Sequence, residues 1–203
     1  MKFQFEYPEG ATPLDPGEAA ALLSSSISTQ GELNEAEQAN ILSAQRWSMT
    51  SRLSRDPAEV LSDHFLRSFH QSMYGEVWKW AGQYRTTEKN IGIQSELIPM
   101  AMRDLCSDTA FWTENQAYPF DELAARYHHR LVQIHGFPNG NGRHARLMTD
   151  ILLCAHGKVP FTWGATTDAL DIRPKPDVRK IYIKALQDAD QGLITPLMHF
   201  VRS

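Results

Sequence analysis

Cysteine is scarce in this 203-residue chain: only Cys106 and Cys154 occur, far apart, and neither belongs to a CxxC pair or a zinc-ligand cluster. A disulfide framework and a structural zinc site are thereby excluded, and reduced, buried thiols of a cytosolic protein are the expected state. Long apolar runs are missing too. No segment reaches the eighteen consecutive apolar residues of a membrane span, and the start, MKFQFEYPEGATPLDPGEAA, has no apolar signal core. Neither export nor membrane insertion is expected. Charge of one sign never accumulates: 20 Lys and Arg stand against 24 Asp and Glu, a net charge of −4, with no block of like charges. That argues against a nucleic-acid-binding surface.

What is present is enough apolar material, 42% of the chain, for one sizeable core. We read residues 1–55 as an N-terminal arm and helix and 56–203 as one catalytic domain. Residues 8–34, rich in Pro, Gly, Ser and Thr, suggest an irregular arm with a short helix over Pro16–Leu23. Asn34 followed by Glu37 has capping-box spacing and predicts a helix over Glu35–Trp47. Asp56-Pro57 opens the next, with Leu61, Phe65, Phe69 and Met73 as its apolar stripe. The stretch Trp78–Ile93 mixes β-formers with turn residues and predicts a short β-hairpin or flap. Further helices are expected through Ile98–Trp112, Phe120–Ile134, Leu147–Ala155 and Val178–Ala189. The expected class is mainly α, with one hairpin.

The chemistry concentrates in His135-Gly-Phe-Pro-Asn-Gly-Asn-Gly-Arg143-His-Ala-Arg146. Its Asn-Gly pairs alone would be a turn. Here, however, one helix delivers His135 and another opens directly out of the loop. Gly140 and Gly142 allow close backbone approach, and the amides of Gly140, Asn141 and Gly142 lie where a helix N-terminus leaves its N–H groups unpaired, a nest for an anion. Arg143 sits in the first turn, against the helix dipole, a conflict that a bound polyphosphate removes. Arg146 follows at three residues, so two guanidinium forks can grip successive phosphates. His135 can serve as general base toward an incoming hydroxyl. Phe137 reads as a core anchor and Pro138 as a stiffener.

The spacing HxFxxGNGRxxR resembles the Fic (Fido) family, whose pattern His135, Phe137, Gly140, Asn141, Gly142, Arg143 and Arg146 all match. The resemblance extends to Gly75–Arg85, similar to the segment before the family's target-docking flap, and to Tyr182–Leu186 and Thr195–Leu197, similar to its closing helices; about Asp56 to Phe200 is covered. Gly31–Asn40 is similar to a narrower subgroup, mobile mystery protein B, associated with mobile elements. The resemblance implies a Fido-type helical bundle and a protein adenylyltransferase: His135 activates a target Ser, Thr or Tyr, Asn141 and the loop amides hold the α-phosphate, and Arg143 and Arg146 hold the β- and γ-phosphates of ATP. It implies a flap at Thr86, Thr87, Ile91, Gly92 and Ile93 that pairs with the target as an added strand.

One position departs from the pattern. Asn139 stands where adenylyltransferring relatives usually carry an acid that holds Mg²⁺, so the metal, an expected cofactor with ATP, would be bound weakly there. Asn also occupies this place in Doc toxins, which transfer the γ-phosphate, but the intact GNGRxxR favours AMP transfer. The family is often restrained by a glutamate that meets the second motif arginine. Ser28-Thr-Gln-Gly-Glu32 has part of that pattern, so Glu32, or else Glu35, is expected to meet Arg146. A solvated acidic arm including Glu37 is the alternative. Two other classes were weighed: a catalytically weak nucleotide-binding module, such as an antitoxin-like partner, and a metal hydrolase using His128, His135 and His144. The target protein is not legible from these residues.

Overall fold

The computed structural model describes residues 13–164 and 176–203. Among these, the expected Val178–Ala189 helix is described as far as its backbone runs, and the helices are α1 (Pro16–Ala19), α2 (Gln30–Thr50), α3 (Pro57–Val60), α4 (Asp63–Tyr74), α5 (Ile98–Glu114), α6 (Phe120–Ile134), α7 (Asn141–Ala155), α8 (Pro176–Asp190) and α9 (Thr195–Val201). The mainly α architecture is as expected, and no helix among the described residues is long and apolar enough to cross a membrane.

The start of α2 differs from expectation for a local reason. Thr29, not Asn34, is the N-cap: its side chain accepts from the Glu32 amide, while the Glu32 carboxylate reaches back to the Ser28 and Thr29 amides. The helix therefore begins earlier and puts Leu33, Glu37, Ile41, Ala44 and Ser48 on one buried face. That face packs against α4, whose Phe65, Leu66, Phe69, His70, Met73 and Tyr74 are buried. Leu33, Ile41 and Ala44 thus belong to the same core as Phe69, Ile134 and Leu152.

The single helix expected from Asp56 to Met73 is two. Leu61 leaves helical geometry (φ −91°, ψ 40°), and the Ser62 hydroxyl caps a new start by accepting from the Phe65 amide at 3.1 Å. α5, α6 and α7 pack in sequence, and α8 with α9 encloses a second, smaller core around Leu153, Phe161, Tyr182, Leu197 and Phe200.

No β-hairpin forms in residues 78–93. The one bridge among the described residues joins Leu22 to Trp78, with Leu23 N–H donating to Val77 C=O and Lys79 N–H to Ala21 C=O. Segment 83–94 pairs instead with the end of α6: Arg85 N–H donates to Gly136 C=O at 2.9 Å and Ile93 N–H to Ile134 C=O at 3.4 Å. The buried Arg85 guanidinium joins its two limbs, donating to the carbonyls of Thr87 and Ile93. One side chain does here what a ladder would do in a hairpin. Both cysteines are free, but Cys154 is exposed rather than buried.

Burial also sets the acid stability. His70, His128 and His144 are fully enclosed, and His135 nearly so. Desolvation first, with nearby cations at several of them, pushes His128 to about 3, His144 and His135 to about 4, and His70 well below its ordinary value. The unfolded chain therefore takes up protons below about pH 6.5 that the native state refuses, and each such histidine removes up to about 1.4 kcal/mol of stability per pH unit until its native pKa is reached. Asp150, which burial raises to about 7, works the other way, because its native form gains a proton before its unfolded form does. Four groups outweigh one. The urea midpoint is expected to fall steeply from pH 6.5 to pH 4.5; a flat profile would refute the neutral, buried assignment.

Candidate active site

α6 ends at His135 in the left-handed conformation (φ 53°, ψ 55°), which turns the chain sharply into the loop. The turn is held from outside the loop: Arg85 Nε donates to the His135 carbonyl at 2.7 Å. Gly92 lies against the same residue: with φ +101°, and because a Cβ added there would lie 2.7 Å from the His135 Cβ, no side chain would fit. His135 is 7% exposed. Burial first, then the Arg85 cation, hold its pKa at about 4, so the imidazole is neutral and able to accept a proton at ordinary pH.

Phe137 is fully buried, stacked on His70 with centroids 3.7 Å apart and packed against Tyr84. The Asn141 side chain closes the loop: its Oδ1 accepts from Phe137 N–H at 2.9 Å and its Nδ2 donates to Phe137 C=O at 2.8 Å. The family resemblance implies an α-phosphate contact for this residue. In the structure its amide is already engaged, and it braces the loop; its backbone N–H stays with the nest.

That nest is the start of α7. Gly140 is the N-cap (φ 78°, ψ 1°) without a side-chain cap, and the first helical bond runs from His144 N–H to Gly140 C=O. The amides of Asn141, Gly142 and Arg143 precede that bond, as first-turn donors do. A Cβ on Gly142 would meet nothing within 4 Å, so there is open space beside this residue of the first turn. Gly140, by contrast, is fixed by contact, since a Cβ there would lie 2.5 Å from the Tyr74 ring and hydroxyl.

The arginines are both drawn to groups of the chain. Arg143 Nη1 donates to Glu37 Oε2 at 2.8 Å, and its guanidinium lies 5.2 Å from the Tyr74 ring centroid. Arg146 sits over Tyr182 at 5.8 Å and its Nε donates to Gly142 C=O at 3.4 Å. The acid at the site is therefore Glu37. Glu32 is spent on capping α2, and Glu35 is exposed; neither contact links them to Arg146. Glu37 is 6% exposed, and its second oxygen accepts from Trp78 Nε1 at 2.9 Å. Its signal was available in the sequence as an acid spaced four residues from both Leu33 and Ile41, on the apolar stripe of α2.

Asn139 Oδ1 accepts from the next amide, Gly140 N–H, at 2.6 Å. It is neutral and already engaged, and among the described residues no group of three or more His, Cys, Asp or Glu could hold a metal ion. The donors present do not fit a protein-held Mg²⁺. The three histidines weighed as a metal set diverge: His128 bonds Tyr182 Oη, His144 bonds Leu66 C=O, and His135 stays on the loop. Cavities of about 520 and 260 Å³ lie around Trp112 and Tyr118, with no motif residue in their walls. A row of helix-end amides binds an anion without such a concavity.

The flap residues take different places. Thr87 Oγ1 donates to Glu18 Oε1 at 2.9 Å, Gly92 backs His135, Ile93 pairs with Ile134, and Thr86 and Ile91 are exposed. Lys89 Nζ, between them, is paired with Asp15 and Glu18 of the arm.

A curated relative, the protein adenylyltransferase fic-1 of Caenorhabditis briggsae, is 27% identical over 198 residues, 95% of this chain and 37% of its own. The chain thus spans little more than a third of the curated relatives of this kind that it matches first. The structure of a Fic-1 fragment from Caenorhabditis elegans matches with a TM-score of 0.64 at 25% identity, over 96% of this chain and 56% of that one. The N-terminal FIC domain of Bep8 from Bartonella sp. 1-1C shares the fold, with a TM-score of 0.69 at 16% identity over 90% of each chain. The model of the Fic/DOC family matches residues 60–153, from the end of α3 through the His135 loop and most of α7.

Proposed function

We propose that this chain transfers AMP from ATP to a hydroxyl side chain of a protein. The observation that carries the reading is the juxtaposition of a neutral, buried histidine at the end of α6 with an uncapped N-terminus of α7 bearing two arginines. The hydroxyl oxygen attacks the α-phosphorus, the bond from that phosphorus to the bridging oxygen of the β-phosphate breaks, the hydroxyl proton passes to His135, and pyrophosphate leaves. The first-turn amides of α7 face the charge that builds on the α-phosphate oxygens, and Arg143 and Arg146 neutralise the departing phosphates. In this reading segment 83–94 receives the target's backbone, and a cytoplasmic setting supplies ATP. Association with mobile elements belongs to the same reading through Gly31–Asn40, whereas an antitoxin-like partner belongs to the alternative of a catalytically weak nucleotide-binding module.

Mg²⁺ enters this scheme with the phosphates and water rather than on a protein carboxylate. Asn139→Asp supplies the missing charge beside the loop. The concentration of Mg²⁺ that gives half-maximal transfer is expected to drop on the order of tenfold, as about 1.4 kcal/mol of added attraction would produce. An unchanged Mg²⁺ titration would remove Asn139 from the metal's surroundings.

The test of the reaction is a lysate incubated with the protein and ATP labelled on either the α- or the γ-phosphate. Label retained from the α position alone supports AMP transfer. Retention from the γ position alone assigns a Doc-like kinase, and retention from neither, even in Asn139→Asp, leaves a nucleotide-binding module.

A further inference from the structure

His70 of α4 is completely buried beneath the loop and joins it to the segment that leads to the flap. Its Nδ1 accepts from Gly82 N–H at 3.0 Å, and its Nε2 lies 3.1 Å from the Asn139 carbonyl oxygen. Only one proton arrangement satisfies both. A backbone amide can only donate, so Nδ1 carries no hydrogen; a carbonyl can only accept, so Nε2 does. The ring is therefore the neutral Nε2–H form, with each nitrogen committed to a different stretch of backbone. Stacking on Phe137 fixes its plane. One helical turn on, Tyr74 fills the space beneath Gly140, so α4 lies under the loop at two successive points.

The two strands of chain that meet on His70 have separate tasks in the proposed reaction. Asn139 immediately precedes the amides that receive phosphate. Gly82, in a left-handed conformation (φ +73°) and with its carbonyl accepting from Arg67 Nε at 3.0 Å, immediately precedes segment 83–94. We propose that His70 is a positioning residue that sets the register between the phosphate loop and the flap segment, so that a hydroxyl presented by one meets the phosphate held by the other. This rests on the reading of the α7 N-terminus as the phosphate site. A histidine that only filled the core would also have both nitrogens bonded, but any substitution of it would loosen both sides together.

Two amide side chains separate the bonds. In His70→Asn, Oδ1 stands near the place of Nδ1 and retains the Gly82 bond, while the donor to Asn139 is lost. In His70→Gln, the amide nitrogen stands near the place of Nε2 and retains the Asn139 bond, while the acceptor for Gly82 is lost. ATP affinity is measured by calorimetry, and amide hydrogen exchange is followed over residues 82–94 and 139–143. His70→Asn is expected to weaken ATP up to about tenfold, the worth of one neutral hydrogen bond, with exchange over 82–94 unchanged. His70→Gln is expected to speed exchange over 82–94 with ATP affinity kept within about twofold. Equal effects of both variants on both readouts would overturn the proposal.

Nitrogen-15 spectra of the wild type give a second, independent readout: Nδ1 is expected to be pyridine-like and Nε2 pyrrole-like. The opposite tautomer would overturn the proposal even if both variants failed to fold. A wild type that binds no ATP but shows this tautomer and the exchange difference would defeat the phosphate-site reading and leave the link between Gly82 and Asn139 standing.

Discussion

Replacing His135 by alanine is expected to lower AMP transfer by roughly a hundredfold to ten-thousandfold, the usual worth of a general base, while ATP affinity changes by no more than about twofold. The separation follows from where the residue sits. The imidazole is at the end of α6, and the phosphate donors are the amides at the start of α7, six or more residues later. Removing the ring leaves the main chain pinned, because Arg85 holds the His135 carbonyl, not its side chain. Backbone strain is a competing cause of loss, since alanine is less at ease than histidine or asparagine with positive φ. His135→Asn tolerates that conformation and removes the base; equal losses in both variants identify the base as the cause.

The pH profile sharpens the same assignment. An unperturbed histidine would give an acid limb near pH 6.5. Burial, with the Arg85 cation second, holds this one at about 4, so kcat/KM is expected to stay level from pH 8 to pH 5.5 and to decline only where the fold itself begins to fail. An inflection near 6.5 in an otherwise folded protein would mean that His135 is charged in the working state and that another group accepts the proton.

Most of this arrangement could be read from residue order. The stripes Phe65, Phe69, Met73 and Leu123, Tyr127, Leu131 mark α4 and α6 because helical period and burial agree there. The loop from His135 to Arg146 is legible for a different reason: glycines, a histidine and two arginines at a helix start have few other uses. What escaped was decided by competition between short-range hydrogen bonds. Asn34 and Glu37 match a cap, but Thr29 and Glu32 match it better and come first. Trp78–Ile93 has hairpin composition, yet a buried arginine from within it satisfies carbonyls on both limbs and on α6. Asn141 suits a phosphate by chemistry, but Phe137 is closer in the folded loop and takes both ends of its amide.

The same competition puts Glu37 rather than Glu32 on a motif arginine, and Glu37→Gln is expected to tighten ATP binding by roughly tenfold to a hundredfold, the range spanned by one charge-assisted hydrogen bond. In the structure the carboxylate holds Arg143 through Oε2 and accepts from Trp78 through Oε1, with 6% exposure. A polyphosphate on the α7 amides must draw that guanidinium away from a negative partner. Glutamine keeps a carbonyl oxygen for Trp78 and removes the charge, so the indole is not left without an acceptor while Arg143 is released to the phosphates. Without ATP the variant should melt earlier, because a mostly enclosed cation has lost its counter-ion, and ATP should restore more stability to it than to the wild type. Glu35→Gln should change neither quantity, and Glu32→Gln should lower stability only slightly through the weakened cap, with ATP affinity untouched. If Glu37→Gln weakens ATP instead, the carboxylate orients Arg143 for phosphate rather than withholding it, and the contact between α2 and α7 is part of the binding site.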